Sequence, residues 1–155
     1  MKIQISKEPR IKDLPNIWPE EGKDVDIVLN VTAPDKFPYN HDRLKKIYDF
    51  GALGHCAPDQ ITPTIMQWLR ALKPGGSIFI VEVNFERAVR EFIGADISLD
   101  EFNTTYNRRT HIVKESLAEQ LNIIGIPHAN VKEWHGKHKD FDIHPHEFIL
   151  EIIKP

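Results

Sequence analysis

One strand–helix–strand segment constrains the fold of this chain more than any other feature. Ile47–Phe50 has the pattern of a short buried strand that ends at a glycine, and Ile78–Val81 is an apolar run of strand length. Between them, Thr62 and Pro63 predict a helix start, because threonine caps helices and proline fits the first helical position. Pro74-Gly75-Gly76 then predicts the end of that helix and a turn. This order of elements predicts a βαβ crossover in a parallel sheet.

The rest of the chain continues the alternation of strands and helices. Strands are predicted at residues 1–5, 25–29, 131–134 and 148–153, and helices at residues 86–93, from 98 to about 106, and 115–124. Gly125 is placed to end the last helix in a left-handed conformation. The helix at 86–93 should have Val89, Phe92 and Ile93 on one side. The helix that begins at 98 should turn Leu99, Phe102 and Tyr106 inward. The 155 residues therefore predict one α/β domain.

Composition limits the compartment and the partners. Twenty Lys and Arg against 23 Asp and Glu give a net charge of −3, which argues against nucleic-acid binding by bulk positive charge. A single cysteine, Cys56, excludes an intramolecular disulfide and fits a reducing compartment. No apolar run has the length of a signal peptide or a membrane span, so we expect a soluble cytoplasmic protein with no membrane partner.

Two stretches resemble the class I S-adenosylmethionine-dependent methyltransferases. In that family the fourth strand leads to a Leu-x-His element, similar to Leu53-Gly54-His55, and a helix ends in Leu-Lys-Pro-Gly-Gly before the fifth strand, as at Leu72–Gly76. Phe37-Pro38-Tyr39 is similar to the turn that lines the family's adenine pocket. The resemblance implies a Rossmann-like methyltransferase fold in a compact form, with a mostly parallel sheet and an antiparallel final hairpin. It also implies S-adenosylmethionine as the cofactor and a methyl acceptor of unknown identity.

The segment that would hold the cofactor departs from the family's pattern. The family carries Gly-x-Gly after the first strand, since glycine lets backbone amides approach the ligand closely. Here that position reads Ser6-Lys7-Glu8-Pro9, and the first glycine is Gly22. Trp18 stands where an acidic residue should end the second strand. Ala33 replaces a further expected acid, with Asp35 nearby. Three cofactor contacts of the family are thus altered together.

The resemblance nevertheless assigns candidate roles to a small set of residues. His55 is the candidate catalytic base beside the transferred methyl group, and the alternative is an ordinary loop histidine. The candidate cofactor-binding residues are Ile5, Ser6, Asp35, Phe37, Phe50 and Gly51, and the candidate substrate-binding residues are Arg87, Arg108, Arg109 and His111. Core packing and turn chemistry are the alternative for the first group. A solvated mixed surface is the alternative for the second, because residues 86–114 hold five basic and five acidic side chains.

Cysteine and histidine offer two further sites. Cys56 has the chemistry of a nucleophile, but no partner is legible in the sequence, and a quiet, partly buried thiol is the favoured interpretation. A dense polar stretch contains imidazoles that zinc or nickel could bind, aided by a carboxylate: His135, His138, His144 and His146, with Asp140 and Asp142. None has the i, i+4 spacing of a helical metal site, so a polar loop without metal is favoured.

Two functions remain open at this stage. The first is an S-adenosylmethionine-dependent methyltransferase with an unusual cofactor loop, acting on an unknown acceptor. The second is a catalytically inactive member that has lost the cofactor and serves as a binding or assembly partner. The motif order favours the first, whereas the chemistry of the cofactor loop favours the second.

Overall fold

The computed structural model describes residues 1–18, 26–28, 37–106, 112–134, 137–145 and 147–155. In chain order its elements are β1 (Lys2–Ile5), β2 (Asn16–Trp18), β3 (Ile27–Val28), β4 (Leu44–Phe50), α1 (Pro58–Ala71), β5 (Leu72–Val83), α2 (Phe85–Ile93), α3 (Leu99–Tyr106), α4 (Lys114–Ile123), β6 (Val131–Trp134) and β7 (Glu147–Ile153). Short 3₁₀ turns occupy Leu53–His55 and His128–Asn130. Strands and helices alternate as expected, which confirms the α/β class.

These strands form one seven-stranded sheet in the order β3-β2-β1-β4-β5-β7-β6. The pairs β1–β2, β2–β3, β1–β4 and β4–β5 are parallel, whereas β7 runs antiparallel to both β5 and β6. The predicted parallel sheet with an antiparallel final hairpin is therefore confirmed. The strand order reverses between β1 and β4, which creates a switch point at their carboxyl ends.

The two faces of the sheet are covered differently. On one face, apolar strand residues pack with α1 and α4 through side chains such as Trp68 and Leu121, which are 1% and 0% exposed. We call the other the aromatic face, and its buried cluster is Tyr48, Phe79, Val81, Phe141 and Ile149. No helix contributes to that cluster as described; its outer side chains come from loops, namely Ile11, Leu14 and Ile143.

Helix α1 begins five residues before the predicted start. Ala57 is the N-cap and Pro58 the first helical residue, and the Gln60 Oε1 atom accepts a hydrogen bond from the Ala57 N–H at 3.1 Å. This side chain caps the helix end, so Thr62 and Pro63 lie inside the helix. The predicted apolar face is confirmed, with exposures of 7% or less: Ile61, Ile65, Trp68, Leu69 and Leu72.

The shared side predicted for three residues of α2 and the inward face predicted for α3 are wrong in part. Ile93 and Leu99 are 77% and 57% exposed. The two helices pack on each other through aromatic rings: Phe102 lies 6.2 Å from Phe85 and 5.1 Å from Phe92 between ring centroids. Because this contact uses one narrow stripe of each helix, the neighbouring aliphatic residues point to solvent. The end of α4 is as predicted, with Gly125 at a φ of +90°.

Candidate functional site

The carboxyl ends of β1, β2 and β4 meet at one edge of the sheet, beside the switch point. Open α/β sheets bind ligands at this place, because the loops diverge there and leave a crevice. Ser6 follows β1, Trp18 ends β2, and Gly51 follows β4. This carboxyl edge is therefore the candidate site.

Ser6 is joined to the neighbouring strand by a reciprocal pair of hydrogen bonds. The Ser6 hydroxyl donates to Asn16 Oδ1 at 3.1 Å, and Asn16 Nδ2 donates to the Ser6 carbonyl at 3.1 Å. The Ser6 N–H donates to the Ile17 carbonyl at 3.3 Å. Ser6 is 2% exposed and Ile5 is fully buried in the core. The polar groups of Ser6 are thus bonded to protein rather than directed at a ligand.

The connection from β1 to β2 contains no helix. Parallel strands are usually joined through a helix, yet residues 6–15 form only turns and bends. Gln4, fully buried, holds this segment: its Oε1 accepts from the N–H groups of Arg10 and Ile11, both at 3.0 Å. Its Nε2 donates to the carbonyls of Ile11 at 2.8 Å and Leu14 at 3.3 Å. One side chain therefore organises a loop where a helix is expected.

Trp18 and His55 stand together at the carboxyl edge. Their ring centroids are 6.3 Å apart and nearly perpendicular, at 84°. Trp18 is half-buried against the core, whereas His55 is exposed. The sequence placed these two residues in separate hypotheses, and only the fold brings them into contact. An indole offers one N–H donor and no acceptor, so Trp18 cannot replace a carboxylate that accepts from hydroxyl groups.

The loop after β4 is held from beneath by two buried carboxylates. Asp49 accepts from the N–H groups of Ala52 at 2.9 Å and Leu53 at 3.1 Å, and Glu82 accepts from the Gly54 N–H at 3.0 Å. Asp49 and Glu82 are 0% and 3% exposed. Charge-assisted bonds of this kind pre-shape the loop that carries His55. Sequence reasoning missed both residues, although an acid inside an otherwise apolar strand is a signal for such a role.

Two other candidates at the edge are set into packing. Phe37 is 7% exposed in the helix-covered core, with its ring centroid 6.5 Å from that of Trp68. Phe50 belongs to the aromatic face, where it lies 5.0 Å from Phe141 and 4.8 Å below the guanidinium carbon of Arg10. The structure thus places Phe37 and Phe50 on opposite faces of the sheet. Gly51 is buried with a φ of +83°, which glycine adopts without strain.

The Cys56 thiol is chemically quiet. It is fully buried, and burial together with the nearby Asp49 carboxylate raises its pKa to about 12. A thiol with that pKa is protonated at neutral pH, whereas nucleophilic attack requires the thiolate. The structure therefore favours the structural interpretation of this residue.

The substrate candidates are only partly within the described residues. Arg87 is exposed; its Nε donates to Glu91 at 2.7 Å and its Nη1 to the Pro145 carbonyl at 2.6 Å. Asp35, Arg108, Arg109 and His111 lie outside the described residues. A cavity of about 580 Å³ does open between α2, α4 and β6, and its apolar wall is formed by Phe85, Val89, Ile112, Val113 and Phe148. Arg87 does not line it.

The histidine-rich stretch gives no metal centre in the part that is described. His135 and His146 lie outside that part. His138 and His144 lie within it, and the described residues contain no group of three or more ligands that could hold an ion. His138 instead stacks on Phe141, with ring centroids 4.5 Å apart.

None of the described helices has the length and hydrophobicity to cross a membrane.

Comparison with solved structures decides the fold family. An S-adenosylmethionine-dependent methyltransferase from Thermotoga maritima superposes with a TM-score of 0.63 at 12% identity, covering 99% of this chain and 82% of that one. A Burkholderia thailandensis 1,6-didemethyltoxoflavin N1-methyltransferase with bound S-adenosylhomocysteine gives a TM-score of 0.58 at 13% identity, covering 99% and 70%. The chain has a class I methyltransferase-like fold. No family model and no curated protein matches the sequence.

A third methyltransferase-fold structure shows how this chain differs in size from some neighbours. It is a Haloferax volcanii complex between a methyltransferase activator and a protein described as a methyltransferase, with a TM-score of 0.52 at 16% identity. The alignment covers 88% of this chain but 64% of that protein, and another neighbour, the methyltransferase SibL, is covered over only 36% of its length. At these identities the likeness concerns the fold alone.

The described residues at the carboxyl edge do not fit S-adenosylmethionine in the family's manner. Within residues 6–9 no backbone φ is positive, and Pro9 has no N–H to donate. Ser6 is bonded to Asn16, and Trp18 supplies no acceptor for ribose hydroxyls. The chemistry of this donor set therefore disagrees with the cofactor that the fold family uses.

Proposed function

We propose that this protein is a methyltransferase-fold module that has lost S-adenosylmethionine binding and acts as a binding or assembly partner. The observation that carries this proposal is the reciprocal pair between Ser6 and Asn16. In a cofactor site, the groups that follow β1 must face the ligand. Here they join β1 to β2, and breaking them to admit a ligand would leave buried polar atoms without partners.

The charges and shapes around that pair support the same conclusion. Glu8 is exposed in the loop after β1, where its carboxylate would repel the carboxylate of the cofactor's methionine part. Trp18 fills the end of β2 with a large ring in contact distance of His55. Cofactor sites in this fold need acceptors at that position for the ribose hydroxyls.

A second candidate function is methyl transfer to an unidentified acceptor, and the loop around His55 favours it. The loop is rigidly held by Asp49 and Glu82, and His55 is exposed at its tip. An imidazole titrates near neutral pH and suits a base that removes a proton from an acceptor. Methyl transfer depends mainly on the alignment of the two reactants, which a rigid edge supports.

Isothermal titration separates the two functions. S-adenosylmethionine and S-adenosylhomocysteine are each titrated into the protein up to about 1 mM, a concentration at which weak binding of roughly −4 kcal/mol is still detected. We expect no saturable heat. Saturable binding that is retained in Trp134→Ala, on the aromatic face, would overturn the proposal and support methyl transfer. In that case Ser6→Gly should tighten binding by freeing the loop after β1.

A further inference from the structure

A second cavity lies on the aromatic face, away from the carboxyl edge. Its volume is about 370 Å³, within the range of small-molecule sites, and it is lined by Lys46, Phe79, Trp134, Lys137, His138, Lys139 and Glu151. The residues come from β4, β5, β6, β7 and the loop before β7. Trp134, Lys137 and Lys139 are exposed, so the cavity is reachable from solvent.

The charge of this cavity is opposite to that of the whole chain. Three lysines line it against one glutamate, whereas the protein carries a net charge of −3. Lys137 and Lys139 are exposed, and neither has an ion-pair partner among the residues described. Lys46 is the exception, since its Nζ lies 3.2 Å from Asp140 Oδ2. Two ammonium groups on one rim, neither paired with a described carboxylate, are suited to a phosphate or another multiply charged anion.

Aromatic rings supply the other half of the site. Trp134 is 48% exposed at the end of β6, and Phe79, 4% exposed, forms the floor. An exposed tryptophan at the mouth of a cationic cavity offers a flat, amphipathic surface for a second ring. Stacking of this type, combined with positive charge for the phosphate, is how proteins bind single-stranded nucleic acids without reading a sequence. Glu151, on the wall, adds an acceptor for an exocyclic amine.

The rim of the cavity is preorganised. Tyr48 Oη donates to Asp140 Oδ2 at 2.6 Å, which ties the loop to β4. His138 accepts from the Asp140 N–H at 3.2 Å and stacks on Phe141. These contacts fix the backbone between Lys137 and Lys139 before any ligand arrives. A rim that is already ordered binds more tightly, because less conformational entropy is lost on binding.

We propose that this cavity binds a base-plus-phosphate unit, with the base stacked on Trp134 and the phosphate held by Lys137 and Lys139. The unit is either a free nucleotide or one residue of a single-stranded nucleic acid, which share this chemistry. The inference goes beyond the proposed function, because this cavity lies on the aromatic face and contains none of the residues of the carboxyl edge. A nucleoside, which has the base and the sugar but no phosphate, should bind poorly.

Calorimetric titration of the full chain with AMP, adenosine and inorganic phosphate tests the proposal. AMP should bind at least about tenfold more tightly than either fragment, since one fragment lacks the phosphate and the other lacks the ring. A single-stranded oligo(A) of ten nucleotides separates the two sources of the unit. Equal affinity per site indicates a free nucleotide, whereas tighter binding that weakens steeply with salt indicates nucleic acid. No binding of AMP or of the oligonucleotide would overturn the proposal.

Variants locate the binding. Trp134→Ala should weaken AMP binding by about tenfold or more, from the loss of base stacking. The Lys137→Ala/Lys139→Ala double variant should weaken it by a similar factor and flatten its salt dependence. The Lys7→Ala/Lys12→Ala double variant, which removes two exposed lysines after β1, is the charge-matched control and Trp18→Ala the ring-matched control, and both should bind as the parent does. Loss of AMP binding in Trp18→Ala but not in Trp134→Ala would place the nucleotide at the carboxyl edge and refute the assignment.

Discussion

Replacement of Gln4 tests how the β1–β2 connection is held without a helix. The buried Gln4 side chain makes four hydrogen bonds to the backbone of Arg10, Ile11 and Leu14. Gln4→Leu keeps a similar side-chain volume and removes all four. Gln4→Glu retains two acceptors but turns a carboxylate toward the carbonyls of Ile11 and Leu14. The two variants therefore separate lost hydrogen bonding from introduced repulsion.

The expected magnitude follows from the number and burial of these bonds. A hydrogen bond between uncharged groups contributes a net stabilisation of about 1 kcal/mol. The backbone groups in the loop are partly buried, so water replaces some of the lost bonds, and we expect Gln4→Leu to lower the free energy of unfolding by about 2–3 kcal/mol. For a domain of this size that loss corresponds to a fall in Tm of roughly 4–12 °C.

Urea denaturation followed by circular dichroism measures this change, and amide hydrogen exchange locates it. The Arg10 and Ile11 amides should be protected in the parent and exchange faster in Gln4→Leu, because both donate to Gln4 Oε1. Gln67→Leu on α1 is the matched control; the Gln67 side chain makes no hydrogen bond to the described residues, so the change should stay within about 0.5 kcal/mol. Parent-like stability of Gln4→Leu, with unprotected amides in the parent, would refute the reasoning.

The Gln4→Glu variant adds a pH signature. A buried carboxylate beside carbonyl oxygens has a raised pKa in the folded state, so the protonated form is favoured on folding. The stability of this variant should therefore be highest below the ordinary glutamate pKa of about 4.3 and decline as the pH rises. If its stability follows the pH profile of the parent, the side chain is not enclosed by the loop.

Three further predictions concern other parts of the fold. Tyr48→Phe should lose about 1.5 kcal/mol of stability at pH 7. The Tyr48 hydroxyl holds the pKa of Asp140 below its ordinary 3.8, so the loss should vanish as acid protonates Asp140. A loss that is independent of pH in urea titrations would contradict this. Burial lowers the pKa of His138, although the charge of Asp140 opposes this shift, so the parent should lose stability as the pH falls below about 6.5. In urea titrations at pH 7.5 and 5.5, His138→Gln should lose less stability than the parent between the two pH values. Parallel losses in the two proteins would refute this role of His138. Gly125→Ala should lower the stability of the fold by about 1 kcal/mol, because its φ is positive and an added Cβ would meet no other atom. Gly125→Asn should lower the Tm less, since asparagine tolerates this conformation better. Equal losses for the two variants would mean that steric contact, and not φ, is the cause.

Local patterns carried the order and type of the elements. The helical spacing of Ile61, Ile65 and Trp68 and the short apolar runs of β4 and β5 are properties of neighbouring residues, so they are legible without coordinates. The same holds for the left-handed Gly125, which requires only that a helix end there. The start of α1 was misplaced because Gln60 caps the helix with its side chain, and a glutamine is a weak signal for a cap.

The sequence by itself determined that this is an α/β chain, and its resemblance to the methyltransferases predicted an altered glycine loop after β1 and Trp18 at the place of an acid. Tertiary structure alone decided what those changes mean. It paired Ser6 with Asn16, brought Trp18 to His55, separated Phe37 from Phe50 across the sheet, and gathered lysines around Trp134 on the aromatic face. The reason is physical. Whether a segment forms a helix or a strand depends mainly on neighbouring residues, whereas hydrogen-bond partners and cavities depend on distant residues that only the register of the sheet brings together.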